Sequence, residues 1–143
     1  MNNNFKIFTD GGARGNPGPS GIGGVIKSPL GSVLVEISEY IGEATNNVAE
    51  YTAVLRTLEK AKELGIKNIQ LYADSKLVVE QLSGRWKVKE PTLKELVKKI
   101  LEIKFEAIMF NWIPRKENVH ADQLANKAMD LKKNNVKDKC QTN

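Results

Sequence analysis

A mixed α/β sheet, begun by an antiparallel meander of three strands and completed by two parallel strands, is the architecture predicted by this 143-residue sequence. Three observations predict it. Strand-like runs rich in β-branched and aromatic residues recur before position 40, joined by short Gly- and Pro-containing connections. The apolar period then changes to helical spacing between Val48 and Leu64. Beyond Gly65, strand-like and helix-like segments take turns, as parallel crossovers require.

The elements follow in order. Phe5 to Thr9 alternates apolar and polar residues and predicts a first strand. A turn rich in Gly and Pro spans Gly11 to Ser20, and Gly21 to Ile26 reads as a second strand. Its glycines mark places where another backbone approaches closely. Val33 to Ser38 is the third strand. Tyr51, Val54, Leu55, Leu58 and Ala61 form one apolar stripe of a helix that stops at Gly65. Ile69 to Ala73 is the fourth strand, and Ser75 to Leu82 a short helix. Pro91 suits the first turn of a helix whose apolar face carries Leu93, Leu96, Val97, Ile100 and Ile103. Phe105 to Trp112 is the fifth strand. Asn118 to Asp130 is the last helix, with Leu124, Ala125 and Ala128 inward.

Composition narrows the class. A chain with 41% hydrophobic and 27% charged residues can bury one core, so a single domain is expected over residues 1–130. No apolar run approaches the roughly 18 residues of a membrane helix, so no membrane partner is expected. The first residues lack the pattern of a cleaved signal. Cys140 has no second cysteine to pair with. A cytoplasmic monomer is the expectation. The net charge of +5 is uneven. Residues 1–130 carry 18 Lys and Arg against 16 Asp and Glu, whereas residues 131–143 carry four Lys and one Asp. That polar, basic tail is expected to be disordered. Within the body, Gly84 to Lys104 holds seven basic and three acidic residues, the one basic stretch.

Four acids fall at element ends: Asp10 after the first strand, Glu50 in the first turn of the first helix, Asp74 after the fourth strand, and Asp122 in the first turn of the last helix. Each has a local explanation. Asp10 and Gly11 make a turn signal. Asn47 and Glu50 fit a capping box. Asp74 fits an N-cap, and Asp122 complements a helix dipole. Ligands of such sheets nevertheless collect at strand ends beside a switch in strand order, where acids from separate segments converge. Oxygen donors without a Cys or His cluster select a hard divalent cation, Mg²⁺ or Mn²⁺, over zinc. Two such ions, about 3.5–4 Å apart, can clamp the attacking and leaving oxygens of a phosphoryl displacement. That chemistry is a phosphodiesterase.

Four blocks then carry a resemblance: Ile7 to Gly18, Thr45 to Ala53, Tyr72 to Ser75 and Asn118 to Ala125. In order and content they resemble the signature blocks of type 1 ribonuclease H, nearest its compact bacterial and archaeal branch. The resemblance implies the ribonuclease H fold, a five-stranded mixed sheet with helices on both faces. It implies endonucleolytic hydrolysis of the RNA strand of RNA–DNA hybrids, leaving 5′-phosphate and 3′-hydroxyl ends. It implies two metal ions, Mg²⁺ or Mn²⁺, on Asp10, Glu50, Asp74 and Asp122. Asp10 would bridge both ions. Glu50 and Asp74 would serve the leaving-group side, and Asp122 the nucleophile side.

The resemblance also implies substrate contacts. Gly11 and Gly12 would admit the RNA backbone, and Asn16, Asn46 and Asn47 would face the minor groove, where the 2′-hydroxyl marks RNA. Ser75 and Lys76 would reach the RNA strand. Trp86, between Arg85 and Lys87, would lie against a DNA sugar, or else fill the core. Two departures stand out. The basic handle of better-known bacterial relatives has no room here. The loop histidine before the fourth acid is missing, so Arg115 or Lys116 would supply charge there but no proton. His120 reads as a helix-surface residue. Two rivals remain: a non-catalytic module binding hybrid or double-stranded RNA, and an enzyme that also cuts double-stranded RNA; the block Thr9 to Gly12 argues against an integrase-like relative. A nucleotide-binding reading of Gly11 to Gly24 fails because no helix follows that loop.

Overall fold

A computed structural model describes residues 3–132 and 134–138 of the chain. Its elements are β1 (Phe5–Ala13), β2 (Gly18–Lys27), β3 (Val33–Ala44), α1 (Asn46–Glu63), β4 (Asn68–Ala73), α2 (Lys76–Leu82), α3 (Pro91–Glu102), β5 (Ala107–Trp112), α4 (Val119–Leu131) and β6 (Asn135–Asp138), with a 3₁₀ turn at Arg115–Glu117. One sheet holds all strands in the order β5-β4-β1-β2-β3-β6. The first three pair antiparallel, and β4 and β5 run parallel to β1. The predicted meander plus parallel pair is therefore present. The switch in strand order lies at β1, between β2 and β4.

Among the described residues the strand count is six, not five. The extra strand comes from the segment read as a disordered tail: Asn135–Asp138 pairs antiparallel with Val35–Ser38 of β3. Its polarity hid it. An edge strand can be held by backbone hydrogen bonds with little apolar content. The Asn134 side chain extends the contact by accepting from the Tyr40 amide at 2.9 Å. The expectation for residues 139–143, Cys140 among them, lies outside the described residues. All three meander strands also run further than expected, so Asp10 sits within β1 opposite Gly23 rather than at its end.

The main core lies between the sheet and α1, α2 and α3. Ile7, Ile26, Val35 and Leu71 from strands meet Val54, Leu58, Val78, Val97 and Ile100 from helices. The other face is built differently. There α4 lies on β2, presenting Ala121, Ala125 and Ala128 to a glycine-bearing strand. A Cβ on Gly23 would stand 2.1 Å from the Ala121 carbonyl oxygen. The expected backbone approach is thus a helix seated on the strand. Ser38 adds a hydrogen bond to the Leu124 carbonyl at 2.6 Å. Leu124 itself is only partly buried, while Met129 is buried beside the alanines. No helix among the described residues is long and apolar enough to cross a membrane.

Seating α4 this closely fixes where Asp122 lies, so Gly23 bears on both stability and site. Gly23→Ala is expected to cost about 1–3 kcal/mol through overpacking. Urea unfolding measures this, and a loss below about 0.5 kcal/mol, the range of an ordinary surface change, would contradict the contact.

Candidate active site

Each acid reaches one end of the sheet by a different local route. Asp10 is carried by central β1 and is 7% exposed. Asp74 follows the last residue of β4. Glu50 lies in α1, whose N-cap is Thr45: its hydroxyl accepts from the Val48 amide at 3.2 Å. The expected capping box from Asn47 is therefore replaced, and Glu50 sits past the first turn. The N-cap of α2 is Ser75, accepting from the Val78 amide, not Asp74. Asp122 does lie in the first turn of α4. With Asp10 inside β1 rather than in a turn, three of the four local explanations thus disappear, and only the place of Asp122 in a first helical turn remains.

One carboxylate oxygen from each of Asp10, Glu50 and Asp74 lies within 4.8 Å of the others. Asp122 stands outside that triad. It meets Asp10 from the α4 side, close enough to accept a hydrogen bond from a protonated Asp10. Burial pushes the Asp10 carboxyl up to about 8, with Asp74, Asp122 and Glu50 adding repulsion. Burial pushes Glu50 up to about 7, with Asp74 adding to it, while a hydrogen bond with Ser75 and the charge of Arg115 oppose the rise. Clustered carboxylates with raised proton affinity and no basic side chain among them make a donor set suited to hard cations.

Asn118 was missed as a site residue. It is 1% exposed, and its side-chain amide donates to the Thr9 carbonyl at 2.8 Å and to Asp74 Oδ2 at 2.9 Å. Its own carbonyl accepts from the Asp122 amide at 3.1 Å. One residue therefore brackets β1, Asp74 and α4. Its Oδ1 is buried with no partner among the described residues. The signal available in the sequence was its place at the head of the fourth block.

A cleft of about 400 Å³ opens beside the acids, lined by Asp10, Gly11, Gly12, Asn46, Glu50, Arg115 and Asp122 among others. A smaller hollow on the other flank is lined by Asp10, Glu50, Asp74 and Ser75. Asn16, Asn47, Lys76 and Trp86 line neither. Asn16 and Asn46 instead lock the β1–β2 turn to α1. Asn16 Oδ1 accepts from the Asn46 amide at 2.9 Å, and Asn46 Oδ1 accepts from the Ala13 amide at 2.8 Å. Gly11 is required by the helix, since a Cβ there would meet the Ala49 carbonyl oxygen at 2.3 Å. Gly12 has no such contact and remains open toward the cleft. Trp86 is 46% exposed, which removes the core-filling reading. Arg14 joins the cleft wall, held by Asp130 at 2.6 Å. Its position in the turn gave no signal. His120 pairs with Glu36 of β3 at 2.6 Å and is partly exposed, as expected of a helix-surface residue.

Known proteins share this sequence pattern and fold. A family model described as reverse transcriptase-like matches residues 8–128. A bifunctional protein of Mycobacterium tuberculosis is 50% identical over 127 residues, covering 87% of this chain, which spans only 35% of that relative's length. A ribonuclease H of Desulforamulus reducens is 34% identical over 145 residues, covering 87% of this chain and 89% of its own. The solved structure of LC11-RNase H1, an enzyme isolated from compost, in complex with an RNA/DNA hybrid superposes with a TM-score of 0.85 at 48% identity, covering 90% of this chain and 98% of that one. With a family model over most of its length, a relative matched nearly end to end, and the same fold in a hybrid-bound structure, this chain belongs to the type 1 ribonuclease H family.

Proposed function

We propose that the chain hydrolyses the RNA strand of RNA–DNA hybrids, leaving 5′-phosphate and 3′-hydroxyl ends, with Asp10, Glu50, Asp74 and Asp122 holding two divalent cations, Mg²⁺ or Mn²⁺. The observation that carries this reading is the convergence within 4.8 Å of carboxylates from separate elements, one buried and two partly buried, two of them with strongly raised proton affinity. Such a cluster is unfavourable alone and favourable around cations. Bound there, the cations would activate water and neutralise charge on the departing oxygen.

The chain's own groups do the rest. Asp10 feels all three other acids, which suits it to be shared between two cations. Asn118 donates to one oxygen of Asp74 and leaves the other for coordination. Arg115, on the cleft rim, attracts phosphate but has no proton to give near neutral pH. The sole histidine is engaged with Glu36, so the proton for the leaving 3′ oxygen comes from solvent. The side-chain oxygens of Asn16 and Asn46 face backbone amides, so their NH₂ groups are the donors that remain for acceptors of the minor groove. Gly12 admits the strand, and Gly11, Asn47, Ser75 and Lys76 stand near its path. Trp86, with Lys87 and Lys89, offers a ring and cations to the DNA strand beyond the cleft.

Asp10→Asn is expected to reduce cleavage of a labelled hybrid at least about a thousandfold, because several kcal/mol of charge stabilisation is lost. Substantial surviving cleavage would move the site elsewhere. A hybrid left intact by the parent protein with either cation, yet retained in a shift assay, would make the chain a binding module. Parallel double-stranded RNA and DNA substrates test the breadth of cleavage.

Stability against pH follows from the same carboxylates. Asp10 and Glu50 ordinarily release protons near 3.8 and 4.5, but in the fold do so near 8 and 7. Between those limits the folded state binds more protons than the unfolded one, so metal-free stability falls as pH rises. Cations bind the deprotonated groups and reverse the loss. The metal-free Tm is expected to fall between about pH 5 and pH 8, and Mn²⁺ to raise it more at pH 8 than at pH 5. A flat metal-free profile over that range would refute the raised proton affinity of Asp10 and Glu50.

A further inference from the structure

The segment Gly84–Glu90 has no regular structure, yet it is tied down along its length. The amides of Arg85 and Trp86 both donate to the Glu80 carbonyl. The Arg85 guanidinium grips the Glu80 carboxylate with two bonds, at 3.0 and 2.6 Å. Val88 packs against the core. Glu90 caps α3 by accepting from the amides of Thr92 and Leu93. The remaining tie runs inward. Gln81 is 8% exposed, and its side-chain NH₂ donates to the Lys87 carbonyl at 2.9 Å. Its Oε1 accepts from the hydroxyl of Tyr51, a side chain with no exposed surface. The Tyr51 hydroxyl is the donor of that bond. A donating hydroxyl turns the amide oxygen toward Tyr51 and the NH₂ toward Lys87. The amide has one orientation that satisfies both ends.

We propose that Gln81 is a positioning residue for substrate binding, fixing the Trp86 segment against the helix that carries Glu50 by joining Tyr51 to the Lys87 carbonyl. Tyr51 follows Glu50 directly on α1, and Lys87 follows Trp86 directly on the segment. The bridge therefore sets the offset between the carboxylates on one strand of the duplex and the aromatic contact on the other. A buried polar bridge also orders the segment before substrate arrives, which lowers the entropy lost on binding. Trp86 is displayed half-exposed from it, and Arg85 is spent on Glu80, leaving Lys87 and Lys89 as its outward cations. This inference rests on the reading of Trp86 as a hybrid contact.

The test compares four variants in steady-state cleavage of a hybrid. Gln81→Met keeps the shape and removes both bonds. Gln81→Glu keeps an acceptor for Tyr51 and removes the donor to Lys87. Tyr51→Phe breaks only the α1 end, and Trp86→Ala removes the displayed ring. Expected is a KM about tenfold higher for both Gln81 variants, with kcat within about twofold of the parent. Their KM should also depend less steeply on salt, because the Lys87 and Lys89 contacts are misplaced. Tyr51→Phe should raise KM less, since the Lys87 bond survives. A purely structural bridge would lower Tm and kcat together, and that result would overturn the proposal. So would an unchanged KM in Gln81→Glu while Trp86→Ala raises KM. If Trp86→Ala itself leaves KM unchanged, the reading of Trp86 falls, and this inference with it. Should Gln81→Met not fold, Gln81→Glu and Tyr51→Phe carry the same comparison.

Discussion

Repulsion among Asp10, Glu50 and Asp74 is the constraint around which the rest of the molecule is arranged. Three carboxylates within 4.8 Å, one of them nearly fully buried, oppose folding unless something compensates. The structure holds them there by backbone means. Thr45 and Ser75 cap their helices, which frees Glu50 and Asp74 from that duty. Gly11 lets α1 come against β1, and Gly23 lets α4 come against β2, so acids on helices and strands meet without long side chains reaching across. Asn118 then ties three of these elements through one amide and one carbonyl. The Arg115 charge offsets part of the repulsion at Glu50. A cation is the natural completion of such a frame.

Much of this was readable beforehand, for identifiable reasons. The meander and the crossover strands carry β-branched residues in short runs, and the helical stripe of α1 is strong, so element type was plain. The four acids stood out because strand and helix boundaries place them at one end of any such sheet. The caps were not readable, since Thr45, Asn46 and Asn47 are all good cap formers and only geometry chooses among them. Nor was the structural duty of the asparagines. In the sequence Asn16 and Asn46 look like groove readers, and in the fold the side chain of each accepts from a backbone amide that holds the turn in place. Asn118 hid in a motif whose acid draws the attention, and Arg14 and Asn126 join the cleft through folding alone. The second strand's glycines signalled a close approach correctly, but not that its cause would be a helix of alanines.

The charge pattern divides the surface by role. Around the acids stand Arg14 and Arg115, few in number and partly engaged. The dense basic stretch runs instead from Gly84 through α3, beyond the cleft and on a segment anchored to α2. A duplex lying across this face would meet carboxylates with one strand and a ring with flanking lysines with the other. That division fits a compact domain without a separate basic handle.

The pairing of β6 with β3 changes what the far edge of the sheet is for. Without Asn135–Asp138, the backbone groups of Val35–Ser38 would face solvent as an open template for another chain. The strand also runs from the level of Ser38 toward Val35, away from the carboxylate end, so its lysine is carried away from the cleft. Trimming the chain after Leu131 would therefore do more than subtract charge. It would replace a short polar edge strand by the longer β3, leaving four more of its residues unpaired, and the consequence would be met first in the solubility of the shortened protein.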